Sequence, residues 1–445
     1  AEDGIRDTSV TGVQTCALPI CDHVINGKMT VSKDGKILAL EYDDVTGIGP
    51  FSMYPRTSAI EANQVLNLTG GPYTIPNYRA NAKVVFQNKN MMCQYRAVGH
   101  PIAMALCDGL LEEAAAAIDM DSVELRKRNL IPDDTYPTTS TTGMKLDDLS
   151  HQKALSKLIE MMDYEKLKKE NAELKKQGVY RGIGFCSMIE VTNPSPMFYG
   201  IGGAPIASQD GATIRLDAGG GIHVASSVTE QGQGTNAVLA QVAADVFGVD
   251  IDRVQVTTGD TKTTPYGGGT WASRGAGIGG EAVYLAAEAL KDQVLDVAGV
   301  MLQSKPEDLN IDNGHVVDHV SKEKRMSLSD LARTVYYRGN ELPSDMSPEL
   351  IATRHFRVTD MPFVFTNGAM AAHVELDIET GIVKILNFWA VEDCGRVINP
   401  MLVDEQIRGG VVQGIGHALY EECLYSDDGQ LLNTTLADYL VPMAA

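Results

Sequence analysis

Two glycine-rich turns, each running straight into an apolar helical pattern, hold the chemistry of this chain. Gly232-Gln233-Gly234 precedes Val238, Leu239, Val242 and Ala243, and the stretch from Gly267 to Gly280 precedes Glu281 to Leu290. The first N–H groups of a helix lack intrahelical partners and sit at the positive end of its dipole, and glycine lets a ligand come close to them. Turns of this kind hold anions or polar rings, and a pair of them suits a long, phosphate-bearing ligand better than a small one. Between them, Arg253 to Thr258 reads as a strand, with Val254 and Val256 alternating against polar neighbours. Gly275, Gly277 and Gly280 fit G-x-G-x-x-G, but that fingerprint belongs directly after a hydrophobic strand. The preceding TPYGGGTWASR is no strand, so a Rossmann unit is not expected.

Around these turns the chain has 445 residues and 44% hydrophobic content, enough for large cores and more than one domain. Its formal charge of -21 speaks against nucleic acid or an anionic membrane surface as partner, since both require a basic footprint. No run approaches the ~18 apolar residues of a membrane span, and no secretory signal is visible, which makes the cytoplasm the expected setting. Seven cysteines, at 16, 21, 93, 107, 186, 394 and 423, form no C-x-x-C pair and no cluster with histidine. Each reads as a reduced thiol packed in the interior. Residues 1–21 resemble a translated sequencing adaptor, above all VTGVQTCALPI, and are set aside from the fold.

Residues 22 to 45 alternate in strand fashion around the turn Lys33-Asp34-Gly35-Lys36, a hairpin signal. A second extended run covers Arg79 to Asn88. Pro101 opens a helix through Leu106, Leu110, Ala114 and Ala117, and Asp121 with Glu124 three residues on marks a capping box. A linker over 132–148 leads to a charged helix from Ser150 to Gln177, stopped by Gly178, and a domain boundary is placed there. Beyond it, His373–Asp377 and Val383–Ala390 read as strands about Glu379-Thr380-Gly381, and a helix covers Val403 to Glu421. Sheets and helices mix without a βαβ rhythm, so the fold class is α+β.

Taken in order, YRAVGHP, TEQGQGT, GGGTWASRGAGIGGEA, VEDCGRVINP and RGGVVQGIGHALYEE resemble the molybdopterin-binding subunit of the xanthine dehydrogenase and aldehyde oxidase family, the molybdenum hydroxylases. The resemblance spans about 22 to 445 and implies a two-lobed fold, truncated at both ends: 22–178 would close the first molybdopterin-binding domain and 179–445 form most of the second. The implied cofactor is a molybdenum pterin in its cytosine dinucleotide form, with [2Fe-2S] clusters and FAD on partner subunits of a hetero-oligomer. Carried over by motif, Gln233 with Gly232 and Gly234 would lie near the metal, and Gln413 would bond the pterin. Tyr95 and Arg96 would touch the cofactor, while Thr270, Ser273, Arg274 and Gly275 would surround the pterin and its phosphates. Ala97, Val98 and His100 would line the substrate channel. No protein atom binds the metal in this family.

The implied reaction is hydroxylation with water as oxygen source, assisted by a glutamate base. That glutamate belongs to a G-x-G-E loop expected beyond Ala445, and the family's G-G-x-F-G loop is expected before residue 22, so the polypeptide as it stands is expected to be inactive. Purine-oxidising relatives place an aromatic side chain where Val98 stands, which argues against xanthine and leaves an aldehyde or an N-heterocycle. Copper-containing carbon monoxide dehydrogenases carry a cysteine where Ala97 stands, so no copper thiolate forms. A non-catalytic cofactor-binding scaffold is the competing reading. Simpler roles also stay open: a satisfied core amide for Gln413, a core aromatic for Tyr95, packing for His100 and His417, and a solvated turn for Glu392 and Asp393.

Overall fold

The computed structural model describes residues 8–18, 21–53, 57–92, 94–195, 207, 209–359 and 364–443. Strands β1 (Thr8–Leu18), β2 (Cys21–Val31), β3 (Ile37–Gly47) and β4 (Tyr78–Val85) form one sheet in that order, antiparallel except that β4 runs parallel to β3. Of the stretch 1–21 set aside in the sequence, 8–18 thus pairs along the whole of β2, whose edge would otherwise present unpaired N–H and C=O groups. The turn between β2 and β3 has Gly35 at φ 80°, a left-handed conformation that costs a glycine little. Alternation along β2 and β3 buries Ile25, Met29, Leu40 and Tyr42. They meet Leu106, Leu110 and Leu111 of helix α2 (His100–Ala117), beside α1 (Ile60–Leu68). A Cβ on Gly27 would stand 2.6 Å from Leu106 Cδ1, so glycine sets how closely helix and sheet approach.

Helix α3 (Ser122–Asn129) is capped by Asp121, whose Oδ1 accepts from the N–H of Val123 (2.9 Å) and Glu124 (3.3 Å). Glu124 turns to Arg128 (2.8 Å) rather than back to the cap. After the small hairpin β5 (Thr138–Thr139) and β6 (Lys145–Leu146), the single helix expected to Gln177 is two: α4 (His151–Met162) and α5 (Tyr164–Lys175). Asp163 breaks it at φ 48°. Helix α4 buries Ala154, Leu155, Leu158 and Met162, whereas α5 buries Tyr164 alone, set edge-on to Phe185 with ring centroids 5.3 Å apart.

The remaining elements are β7 (Tyr180–Thr192), β8 (Gln209–Leu216), β9 (Ile222–Ser226), α6 (Thr235–Phe247), β10 (Val254–Thr257), α7 (Gly280–Leu302), β11 (Leu309–Asp312), β12 (His315–Asp318), β13 (Lys324–Ser327), α8 (Leu328–Tyr337), β14 (Ile351–Arg357), β15 (Val364–Leu376), β16 (Val383–Asp393) and α9 (Pro400–Leu419). They build sheets in the orders β10-β9-β8-β14, β11-β12-β13 and β16-β15-β7. Helices α6, α7 and α8 cover the first of these through Leu239, Phe247, Val283, Leu290 and Leu331. Helix α7 runs past the expected Leu290 because Val294, Val297 and Ala298 continue its buried stripe. Phe185, Ala369 and Ala371 of the third sheet share one core with α2 and α4, so packing runs across residue 178. The whole is α+β.

Cys107 is buried, Cys186 and Cys423 are half-buried, and Cys394 is exposed in the turn after β16, where the expectation of interior packing is corrected. Cys16, Cys21 and Cys93 fall outside the described side chains. His151 ties α4 to β7, its Nε2–H donating to Met188 O (2.9 Å), and burial pushes its pKa from 6.5 down to about 4. The unfolded chain therefore takes up this proton first on acidification, and stability present above pH 6.5 drains away towards pH 4. Urea unfolding at pH 7 and pH 4.5 should show His151→Gln shedding part of that loss, up to about 3 kcal/mol. An unchanged pH slope would remove His151 from the account.

Candidate functional site

Both glycine turns form, and both already hold an anion supplied by the chain itself. In the first, Gly232 and Gly234 adopt φ of 96° and 85° and turn their N–H groups onto the carboxylate of Glu230. Glu230 Oε1 accepts from the N–H of Gln231 (3.0 Å), Gly232 (2.8 Å) and Gly234 (3.1 Å), and Oε2 from that of Asn236 (2.9 Å). Burial alone would raise the Glu230 pKa, but these backbone donors outweigh it and hold it below the usual range. Gln233 folds back on the same turn: Nε2 donates to Thr235 Oγ1 (2.7 Å) and Thr229 O (3.2 Å), and Oε1 accepts from Gln231 N–H (2.6 Å). The helix N-terminus expected to meet a ligand's phosphate is thus occupied from within.

The second turn repeats the device with Asp210 of β8. Its Oδ1 accepts from the N–H of Gly268 (3.1 Å) and Gly269 (3.3 Å) and from Ser227 Oγ (2.8 Å), while Oδ2 pairs with Arg274. Asp210 and Arg274 are both 0% exposed. Arg274 further donates to Ala207 O (3.0 Å) and lies over the Trp271 ring. With its counter-charge and an aromatic face inside the protein, Arg274 braces the turn from within. Ala272 and Ser273 take left-handed φ of 49° and 54°, a strain held by the surroundings, and Ser273 Oγ donates to Glu190 Oε1 (3.1 Å). A wide turn, with Gly279 N–H reaching back to Arg274 O (3.3 Å), then feeds α7.

The two turns touch. Thr270 Oγ1 donates to Thr229 O (2.8 Å) and accepts from Thr229 N–H (2.7 Å), and a Cβ on Gly275 would lie 3.4 Å from Thr235 Oγ1. Helix α9 closes on the first turn, since a Cβ on Gly234 would meet Leu402 at 2.7 Å and Asn399 Nδ2 donates to Gln241 Oε1 (2.8 Å). Arg96, far back in sequence, lies exposed over Gly409 and Gly410 of α9. Its Nη2 donates to Gln406 O (2.9 Å) and its Nη1 to Gln413 Oε1 (3.3 Å). A guanidinium only donates, so the Gln413 oxygen must face Arg96, and its Nε2 has no partner among the described residues. Tyr95 packs on His417, ring centroids 4.4 Å apart.

Ala97, Val98 and Gly99 follow at φ of 72°, 33° and 80°, a left-handed run that is strained at the branched Val98. Ala97 and Val98 are half-buried. His100 is buried, with Nδ1–H donating to Ala97 O and Nε2 accepting from Val191 N–H (3.0 Å). With both nitrogens used by backbone and its pKa lowered by burial, His100 clasps this loop. Glu392 of β16 lies opposite Gly368 of β15 and Glu190 of β7 opposite Thr366, two residues along, so both carboxylates are on one face of their sheet. Burial, then Glu190, push the Glu392 pKa up, and Arg96 opposes them. Glu392 is thus a half-buried strand residue and no solvated turn. Glu190 escaped the sequence reading, where its only signal is a charge within the apolar alternation of β7.

Open space and hydrogen-bond donors for a polar ligand are present at the turns and on α9. A Cβ on Gly232, Gly269 or Gly414 would meet nothing within 4 Å, so each faces open space, and Arg96 and the free Gln413 Nε2 supply donors. Among the described residues no three His, Cys, Asp or Glu are placed to hold a metal ion, and no helix is long and apolar enough to cross a membrane.

Two family models, both described as molybdopterin cofactor-binding domains, match residues 20–130 and 157–445. The nicotine 6-hydroxylase large subunit of Paenarthrobacter nicotinovorans is 34% identical over 95% of this chain and 51% of its own length. The carbon monoxide dehydrogenase large chain of Hydrogenophaga pseudoflava is 30% identical over 100% of this chain and 54% of its own. Among solved structures, quinoline 2-oxidoreductase from Pseudomonas putida 86 superposes with a TM-score of 0.88 at 34% identity, over 95% of this chain and 53% of that one. The chain spans about half the length of the relatives it matches. By motif, by matched domain and by fold, this chain belongs to the xanthine dehydrogenase and aldehyde oxidase family and carries its molybdopterin cofactor-binding domains.

Proposed function

We propose that the whole protein is a molybdenum hydroxylase that oxidises an N-heterocycle with water as oxygen source. The observation that carries the reading is the Arg96–Gln413 contact, which joins the Tyr95-Arg96 loop to α9, the helix that also closes on the first glycine turn through Leu402, and leaves the Gln413 amide donor free. When bound, the molybdenum pterin supplies the two-electron oxidising centre. The chain's own residues hold it: Gln413 and Arg96 by donation, Thr270 and Thr229 by fixing the turns to each other. We place the cytosine dinucleotide form of the pterin here, and [2Fe-2S] and FAD subunits as electron-accepting partners in a cytoplasmic hetero-oligomer.

Val98 gives a channel without a stacking ring, against a purine, and relatives named for nicotine and quinoline support an N-heterocycle over an aldehyde. Ala97 supplies no thiolate, against a copper-dependent carbon monoxide dehydrogenase. The test is turnover of quinoline and nicotine by the full-length protein in oxygen-18 water with an artificial electron acceptor. One labelled oxygen per product is expected. Label arriving only from dioxygen, or no molybdenum in the active protein, would sink the reading.

A further inference from the structure

The first glycine turn is an anion nest with a resident. Four N–H groups, of Gln231, Gly232, Gly234 and Asn236, converge on Glu230 at 2.8 to 3.1 Å, at the positive end of α6. No Lys or Arg among the described residues forms an ion pair with Glu230. Its charge is held by backbone dipoles, unlike that of Asp210, which Arg274 neutralises in the second turn. The Gln231 N–H is shared between Glu230 Oε1 (3.0 Å) and Gln233 Oε1 (2.6 Å), so the carboxylate and the Gln233 amide are set by one donor. A carboxylate tethered one residue from the turn acts at an effective concentration no dissolved anion matches.

We propose that Glu230 is a positioning residue: its carboxylate is the permanent anion of this turn, fixing Gln233 and Thr229 and closing the α6 N-terminus to the cofactor's phosphates. The inference rests on the molybdopterin reading only for what the turn serves, not for how it is built. The nucleotide end of the cofactor then binds away from α6, and the turn meets the pterin through its side chains and outer edge. Removing Glu230 leaves an empty, positive nest that small carboxylates and phosphate can enter.

The experiment compares wild type, Glu230→Ala and Glu230→Gln in the 445-residue chain by thermal unfolding, with sodium formate, phosphate, or chloride as the ionic-strength control. Glu230→Ala should melt at least about 3 °C lower. Formate should restore most of that shift in Glu230→Ala while leaving wild type where chloride leaves it. Glu230→Gln keeps the shape but points an N–H2 group at N–H donors, so it should be destabilised and not rescued. In full-length protein the molybdenum-to-protein ratio should fall in both variants and recover with formate in Glu230→Ala alone. Equal melting of Glu230→Ala and wild type, or equal stabilisation of both by formate, overturns the proposal. If Glu230→Ala does not fold, wild-type melting and molybdenum content in Glu230→Gln overturn it instead. Wild-type protein without molybdenum strikes the molybdopterin reading while the formate response still judges the nest.

Discussion

Asp210→Ala should destabilise this chain by about 3–5 kcal/mol, because it strands a buried positive charge. Asp210 and Arg274 have no solvent exposure, so water cannot replace the lost partner. The carboxylate also accepts from the Gly269 N–H and the Ser227 hydroxyl, which would lose it as acceptor, and shares the Gly268 N–H with Gln209 O (2.9 Å). Arg274 alone is a poor anchor, since Ala207 O is its other acceptor. Urea unfolding measures the loss. The double variant Asp210→Ala, Arg274→Met should recover part of it, because deleting both charges removes the desolvation penalty that deleting one exposes. A double variant less stable than the single would show that the ion pair is not what braces the turn.

Gln413→Glu should weaken cofactor retention by about ten- to a hundredfold, the cost of a lost donor of about 1.5–3 kcal/mol. A glutamate at 413 would satisfy Arg96 better than the amide does, and so would stay in place while offering the cofactor only acceptor oxygens. Release of pterin from the full-length protein under dilution, and its molybdenum content, read the effect without reference to turnover. Arg96→Lys should give a smaller loss of the same kind, since an ammonium cannot span Gln406 O and Gln413 Oε1 as a planar fork does. Undiminished retention in Gln413→Glu would mean that the Gln413 amide does not serve the ligand.

Much of the secondary structure was legible because its signals are local. The Lys33-Asp34-Gly35-Lys36 turn, Pro101 at the head of α2, the Asp121 cap and the Glu379-Thr380-Gly381 turn all act within four residues. The break at Asp163 was not legible, since the charged sequence on both sides suits a continuous helix and only the packing of Tyr164 on Phe185 favours two. His100 is a similar case, where nothing near it in sequence announces that Val191 N–H is the donor to its ring. Of the residues the family motifs single out, Arg96 meets Gln413, while Tyr95 packs on His417 of the same helix.

Sequence by itself determined where the glycine turns stand and which helices they start, because those follow from backbone freedom and from apolar spacing along one segment. The tertiary structure decided what the turns hold. Asp210 meets Arg274 across 64 positions, and Arg96 meets Gln413 across 317. A vacant helix N-terminus and one filled by the chain's own carboxylate read the same in one dimension. Only the fold brings an acceptor from a distant strand within hydrogen-bond reach, where the low dielectric makes an unpaired partner too costly to leave.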